Sequence, residues 1–174
     1  MPKGIVIFEA NGCGKTTLGH KVARLLQYKH MDIEDYYFAK SVNPYTAPRA
    51  REECLDLMLA DMETYGSFVL TAVSGDFGDK INTMYQCAVW MSAPLALRLE
   101  RIKKRSCERF GERARPGGDL YEQEQKFFDY AASRSLEPME RWAATLSCPV
   151  LRVDGAKPVT ENAEWIVSKY QTLE

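Results

Sequence analysis

Ile5-Val6-Ile7-Phe8, and shortly after it Gly12-Cys13-Gly14-Lys15-Thr16-Thr17, is the stretch on which the reading of this chain turns. An apolar run of strand-forming residues leads into a short glycine-bearing loop, and the loop opens a helical pattern. That is the context a phosphate-binding loop requires. Each residue type has a job in it. Gly12 and Gly14 let backbone N–H groups turn toward phosphate oxygens, Lys15 supplies charge, and the Thr16 hydroxyl is a hard oxygen ligand for Mg²⁺. The helix begun at Lys15 adds its positive end at the same spot. The expected nucleotide contacts are Asn11, Gly12, Cys13, Gly14, Lys15, Thr16 and Thr17. In the spacing G-x-x-x-x-G-K-[ST], however, the first glycine falls at residue 9, where the chain has Glu9. A carboxylate pointing inward would repel a triphosphate, so Glu9 is expected to face solvent or pair with a nearby cation.

Outward from the loop, strand-like runs alternate with helical patterns along the whole chain, the signature of an α/β protein with a parallel sheet covered by helices. Strands are expected at Gly4 to Phe8, Tyr28 to Met31, Phe68 to Val73, Cys87 to Met91 and Val150 to Val153. In a first helix, Lys15 to Leu26, the residues Leu18, Val22, Leu25 and Leu26 recur at helical spacing and should pack on the sheet. A second helix, Ala47 to Tyr65, carries Leu55, Met58, Leu59 and Met62, with Arg49 and Arg51 in its early turns. Pro94 suits a helix start ahead of Leu95, Leu99 and Ile102. The last helix, Thr160 to Tyr170, should start at a threonine cap and bury Trp165 and Ile166. Two stretches escape the alternation, Tyr36 to Pro48 and Ser106 to Asp119, and such segments in a compact domain are often functional loops.

With 174 residues and 45% hydrophobic composition, the chain fits a single domain with an adequate core. A net charge of −1 argues against a protein that coats nucleic acid. The five cysteines are odd in number, widely spaced and without a C-x-x-C pair. They read as reduced cytosolic thiols rather than a disulfide framework or zinc site. Met1-Pro2-Lys3-Gly4 runs straight into a strand, and there is no apolar stretch near the length of a membrane span. The expectation is therefore a cytoplasmic protein without membrane attachment, monomeric or a homodimer.

The second strand runs into Met31-Asp32-Ile33-Glu34-Asp35-Tyr36-Tyr37, which places three carboxylates at the carboxyl edge of the sheet, where open parallel sheets bind ligands. Asp32 is a candidate metal ligand and a candidate acceptor for a proton from an attacking hydroxyl. Asp35 is a candidate substrate contact, and so is Asp76 after the third strand unless it only shapes a turn. Arg98, Arg101 and Arg105 share one helix face, and Arg109, Arg113 and Arg115 continue into a glycine-rich segment. Guanidinium groups match phosphate oxygens with paired donors, so about two or three of the six are expected to touch phosphate, the others forming surface ion pairs. His20 and His30 lack companion ligands at metal spacing and are read as a surface and a packed residue. Tyr36, Tyr37 and Phe38 are read as packing aromatics, with stacking on an acceptor ring as the alternative.

With these parts in order, the chain resembles the P-loop small-molecule kinases of the adenylate kinase and shikimate kinase group. The motifs that carry the resemblance are Gly12 to Thr17, the Asp32-Ile33-Glu34 sequence, Leu97-Arg98-Leu99-Glu100-Arg101 with the arginines after it, and Val153-Asp154-Gly155-Ala156. It is similar also to uncharacterised adenylate-kinase-like proteins through His30 to Tyr37 and Arg115-Pro116-Gly117-Gly118-Asp119. The resemblance implies a three-layer nucleotide-kinase fold with a five-stranded parallel core in one domain, residues 1–174. It places a substrate lobe at 36–66 and an inserted lid at 106–120. It implies ATP and Mg²⁺ as cofactors, Lys15 on the β- and γ-phosphates, and Thr16 with Asp32 on the metal. Asp32 is also assigned to the acceptor, with Arg109 and Arg113 as a catalytic clamp. Arg49, with Asp32, Asp35 and Asp76, would face the acceptor. The Asp-Gly-Phe-Pro-Arg sequence of adenylate kinases and the Gly-Gly-Gly of shikimate kinases are both missing, so neither AMP nor shikimate is named as acceptor. The expected function is ATP-dependent phosphoryl transfer to a small hydroxyl or phosphate acceptor. The alternatives are a nucleotide-binding switch or weak NTPase without such an acceptor, and an oligonucleotide-binding surface along Arg98 to Arg115.

Overall fold

In the computed structural model, which describes residues 1–40 and 47–173, five parallel strands form one sheet in the order β2-β3-β1-β4-β5. The strands are β1 (Lys3–Phe8), β2 (Lys29–Asp32), β3 (Ser67–Ala72), β4 (Tyr85–Ser92) and β5 (Val150–Asp154). The helices are α1 (Lys15–Leu26), α2 (Ile33–Tyr37), α3 (Arg51–Tyr65), α4 (Asp79–Asn82), α5 (Leu95–Phe110), α6 (Tyr121–Ser133), α7 (Glu137–Ala143) and α8 (Val159–Gln171). Strand β1 lies in the middle, and Ile5, Val6, Ile7 and Phe8 are all fully buried. A strand covered on both faces reads as a continuous apolar run instead of an alternating one, which is why this tetrad was legible.

Two cores lie on the two faces of the sheet. One packs Val6, Phe8, Met31 and Leu70 against Met58 and Met62 of α3 and Met139 and Trp142 of α7. The other packs Ile5, Ile7 and Val89 against Leu18 and Val22 of α1 and Ile166 and Tyr170 of α8. The indole of Trp142 meets the Phe8 ring edge-on with centroids 4.9 Å apart, a favoured aromatic geometry. A smaller cluster around Ile102, Phe128 and Ala131 joins α5 to α6 away from the sheet.

Leu25 of α1 is exposed, because the helix turns that position off the sheet while Leu18 and Val22 carry the contact. Trp165 is exposed, and α8 starts after Pro158, one residue ahead of the expected threonine cap at Thr160. Arg49 precedes α3 and does not lie within it. The segment Ser106 to Asp119 is not loop throughout. Its first residues complete α5, and a short 3₁₀ turn over Gly111–Ala114 follows. Helices α6 and α7 were not placed by the alternation of strand and helix signals. The expected substrate lobe at 36–66 lies in part outside the described residues, including Pro44.

His30 on β2 contacts the Thr71 hydroxyl at 3.2 Å and stacks on the His20 ring, with centroids 3.9 Å apart. Burial, reinforced by His20, pulls its pKa from 6.5 down to about 4. The unfolded chain takes up this proton near pH 6.5, but the folded chain does not until near pH 4. Stability from this site is therefore whole above the unfolded value and is lost as pH falls through that window. Melting temperature should drop over this range, and His30→Gln should melt with a shallower pH dependence. Identical slopes would contradict the assignment.

Candidate active site

The loop between β1 and α1 is fixed by backbone needs that only glycine meets at low cost. Gly12 has φ +87°, and a Cβ there would lie 2.5 Å from the carbonyl oxygen of Arg98. Gly14, at φ +95°, caps α1 without a side-chain hydrogen bond, which leaves the first N–H groups of the helix facing outward. Two arginines of α5 hold the loop, and Arg101 also borders its cavity. Arg98, itself buried, donates to the Asn11 carbonyl at 3.4 Å. Arg101 donates to the carbonyls of Cys13 at 3.1 Å and Gly155 at 2.9 Å, tying the loop to the turn between β5 and α8. These two members of the arginine series brace the loop backbone, a role the spacing on one helix face did not distinguish from phosphate contact.

The loop walls a cavity of about 360 Å³ together with Asp32, Glu34, Thr71, Arg105 and Val159. Lys15 reaches back to the Ala10 carbonyl at 3.1 Å, and burial pulls its pKa from 10.5 down to about 8. A desolvated ammonium with one carbonyl partner is a strong site for an anion. The Thr16 hydroxyl donates to Asp32 Oδ2 at 2.7 Å, while Asp32 Oδ1 accepts the Glu34 N–H at 3.1 Å and so caps α2. A hydroxyl and a carboxylate at this separation form the hard-oxygen donor pair that suits Mg²⁺ held jointly with phosphate oxygens. Among the described residues no cluster of three or more His, Cys, Asp or Glu could bind a metal by itself. Cys13 is buried, and burial pushes its thiol up to about 11, so it is a packing residue of the loop and not a nucleophile.

Glu9 neither faces solvent nor meets a cation. It is 2% exposed, accepts the Trp90 indole N–H through Oε2 and the Ala10 N–H through Oε1 at 2.8 Å. The partner comes from the neighbouring strand β4, so the carboxylate points under the sheet edge and away from the cavity. The repulsion expected of an inward acid is avoided by this geometry.

The remaining candidates divide. Asp35 and Arg49 border a wide hollow beside β2 and α2. Arg49 Nη1 donates to the carbonyls of Asp35, Tyr36 and Phe38 at 3.1, 2.8 and 2.9 Å, and its Nε pairs with Glu53 at 3.2 Å. It is occupied as a brace for the end of α2. Asp76 accepts from Asn82 at 3.1 Å and shapes its own turn, outside the cavity of the loop. Arg113 makes a bidentate pair with Asp119, with contacts of 2.9 and 2.7 Å, and stands outside the cavities described here. Arg109 borders a second cavity that adjoins the first. Tyr36 is buried with its hydroxyl on Asp61, whereas Tyr37 is exposed.

Glu34, in the acidic stretch after β2, joins the site although the sequence pattern did not single it out. It lines both cavities, as does Arg105. The two-residue offset from Asp32, across the start of a helix, was the available signal.

A central β1 followed by this loop, with the strand order β2-β3-β1-β4-β5 and helices on both faces, defines the fold of the P-loop kinases. Solved structures agree on the fold. A protein from Chloroflexus aurantiacus J-10-fl, provisionally named a kinase, matches with a TM-score of 0.63 at 17% identity, over 99% of this chain and 98% of that one. A gluconokinase from Sinorhizobium meliloti 1021 matches with a TM-score of 0.57 at 14% identity, over 99% and 93% of the two chains. No family model matches the sequence. The chain is 30% identical over 177 aligned residues to the uncharacterized protein YqaC of Bacillus subtilis (strain 168), covering 96% of this chain and 97% of YqaC. It belongs to the YqaC family. Among the described residues no helix is long and apolar enough to cross a membrane.

Proposed function

We propose that the chain is a phosphotransferase that moves the γ-phosphoryl group of ATP to a small hydroxyl or phosphate acceptor. The observation that carries the reading is the convergence of Lys15, Thr16 and Asp32 on one cavity at the start of α1, with Thr16 hydrogen-bonded to Asp32. The kinase names of the two structural neighbours support it, as does the sequence resemblance to adenylate and shikimate kinases.

In this reading the loop N–H groups and Lys15 hold the triphosphate, and the Gly155 turn flanks its base. Thr16 and Asp32 would hold Mg²⁺, which when bound neutralises charge on the phosphates. Both Asp32 oxygens already accept hydrogen bonds, so its fitted role is on the metal side. Glu34 faces both cavities and is the better placed proton acceptor for an attacking hydroxyl. As the acceptor oxygen bonds to the γ-phosphorus, the bond to the β-phosphate oxygen breaks. A hydroxyl proton passes to Glu34, whereas an ionised phosphate oxygen brings none. Arg105 and Arg109 are positioned to meet charge on the transferred group, and residues 106–120 would act as a lid, with Arg113 recruited only if its pair with Asp119 opens.

Thr16→Val tests the metal side of this site. It keeps the volume but removes the hydroxyl, and turnover should fall about 100-fold while the Mg²⁺ concentration for half-maximal rate rises. Unchanged rate and unchanged Mg²⁺ dependence would count against the assignment.

A further inference from the structure

Beside the nucleotide cavity lies a second one of about 430 Å³, between the α2 end and the pair α5 and α6. The two share Asn11, Glu34, Ile102 and Arg105, so a molecule in the second would abut one in the first. Building on the proposed transferase reading, we infer that this second cavity is the acceptor pocket, that it takes a small anionic ring compound, and that Glu124 selects it by receiving a hydrogen-bond donor of that compound.

Three observations carry the inference. The first is unfinished hydrogen bonding around one space. Glu124 is 8% exposed, yet its carboxylate makes no hydrogen bond or ion pair with any described residue. Ser106 Oγ and Asn11 Oδ1, on the same walls, are buried and also lack a partner. Buried polar groups are nearly always paired, and two unpaired ones, Ser106 Oγ and Asn11 Oδ1, around a cavity that Glu124 also lines with a carboxylate free of described partners, mark a place that a ligand completes. A carboxylate and an amide oxygen accept only, so the ligand must bring donors.

The second is the charge of the walls. Arg105, Arg109 and Arg134 line the cavity against Glu34 and Glu124, three positive groups against two negative. Arg105 makes no hydrogen bond or ion pair with another described residue, and Arg134 stacks on the Tyr130 ring with its guanidinium 5.4 Å from the centroid. A guanidinium fixed in that way presents its paired donors to a phosphate or carboxylate.

The third is shape. Phe38, Phe110, Phe127 and Tyr130 supply aromatic walls, which favour a ring over an open polyol chain. The hollow near Arg49, where an acceptor was first expected, is lined by four carboxylates, Asp32, Glu34, Asp35 and Asp61, and the arginine there is spent on backbone carbonyls.

The test is calorimetric titration of the full chain, already saturated with Mg²⁺ and a non-hydrolysable ATP analogue. The probes are the nucleoside 5′-monophosphates against their parent nucleosides, and hydroxylated cyclohexene and cyclohexane carboxylates against their methyl esters. At least one anionic probe should bind, with its neutral counterpart roughly tenfold weaker or worse. Glu124→Gln should weaken that probe by about tenfold and leave the ATP analogue unaffected, since a hydrogen bond to a charged group has that worth. Arg134→Gln should narrow the gap between the charged and neutral members. The proposal is overturned if no anionic probe binds while the ATP analogue does, if neutral members bind equally well, or if Glu124→Gln changes nothing. Failure of the ATP analogue itself to bind would overturn the transferase reading, and the acceptor pocket with it.

Discussion

Lys15→Ala is expected to lower phosphoryl transfer by about 10²- to 10³-fold, the cost of removing a donor aimed at charge that develops in the transition state. The structure explains why this residue should have so large an effect. Its ammonium is desolvated, has a single carbonyl partner at 3.1 Å, and sits at the start of α1 beside the loop N–H groups. An arriving phosphate replaces lost hydration with a full ion pair. Removing the amine should leave the fold intact, because none of the ion pairs identified among the described residues involves Lys15. The measurement is turnover with circular dichroism as the control for folding. A folded Lys15→Ala protein with wild-type turnover would be incompatible with the proposed site.

Glu9→Gly, which restores the consensus of the loop, is expected to harm the protein instead of improving it. The carboxylate accepts the indole N–H of Trp90 and the N–H of Ala10 within a region that water does not reach. Glycine would strand the Trp90 donor in the core, open a void beneath the loop, and add backbone freedom at the end of β1. The unpaired donor alone costs about 1–3 kcal/mol. The void and the entropy of glycine act in the same direction. Glu9→Gln, which keeps an acceptor oxygen, should be milder, and so should Glu9→Gly combined with Trp90→Phe relative to the sum of the two. Chemical denaturation of the wild type, Glu9→Gly, Trp90→Phe and the double variant measures this coupling. A Glu9→Gly protein as stable as the wild type, or one with markedly higher turnover, would show that the Trp90 contact has been given too much weight.

The contrast between these two residues shows what the sequence could and could not carry. Lys15 could be singled out because the motif proposed to bind phosphate is local: strand, glycines, lysine, hydroxyl and helix follow one another within fifteen residues or so. Its meaning needs no distant partner. Glu9 depends on Trp90, which pairs across strands β1 and β4 and is 81 positions away, so its environment could not be read from its neighbours. The expected choice between solvent and a cation omitted the neutral donor that was in fact used.

The same reasoning covers the arginines. The spacing of Arg98, Arg101 and Arg105 did place them on one face, but the two that come first reach backbone carbonyls of the loop, and carbonyls leave no mark in a sequence. Arg49 likewise reaches backbone carbonyls that its position in the sequence did not show. Asp32 was expected at this place because the sheet edge gathers such residues, and the Thr16 hydroxyl donates to it there. Helix α6 escaped notice, although Glu124, Phe127, Phe128 and Ala131 recur at helical spacing. An acid on that apolar face was the readable sign of a buried carboxylate.

The measurement that bears most directly on the central claim is the fate of the label from γ-labelled ATP. The protein would be incubated with Mg²⁺ and a pool of nucleoside monophosphates, nucleosides, sugars and cyclic hydroxy acids, and the products separated. Phosphoryl transfer predicts label on an organic acceptor, and loss of that product in Lys15→Ala. Label recovered only as free phosphate, or retained entirely on bound ATP, would contradict the transferase and leave a nucleotide-dependent switch in its place.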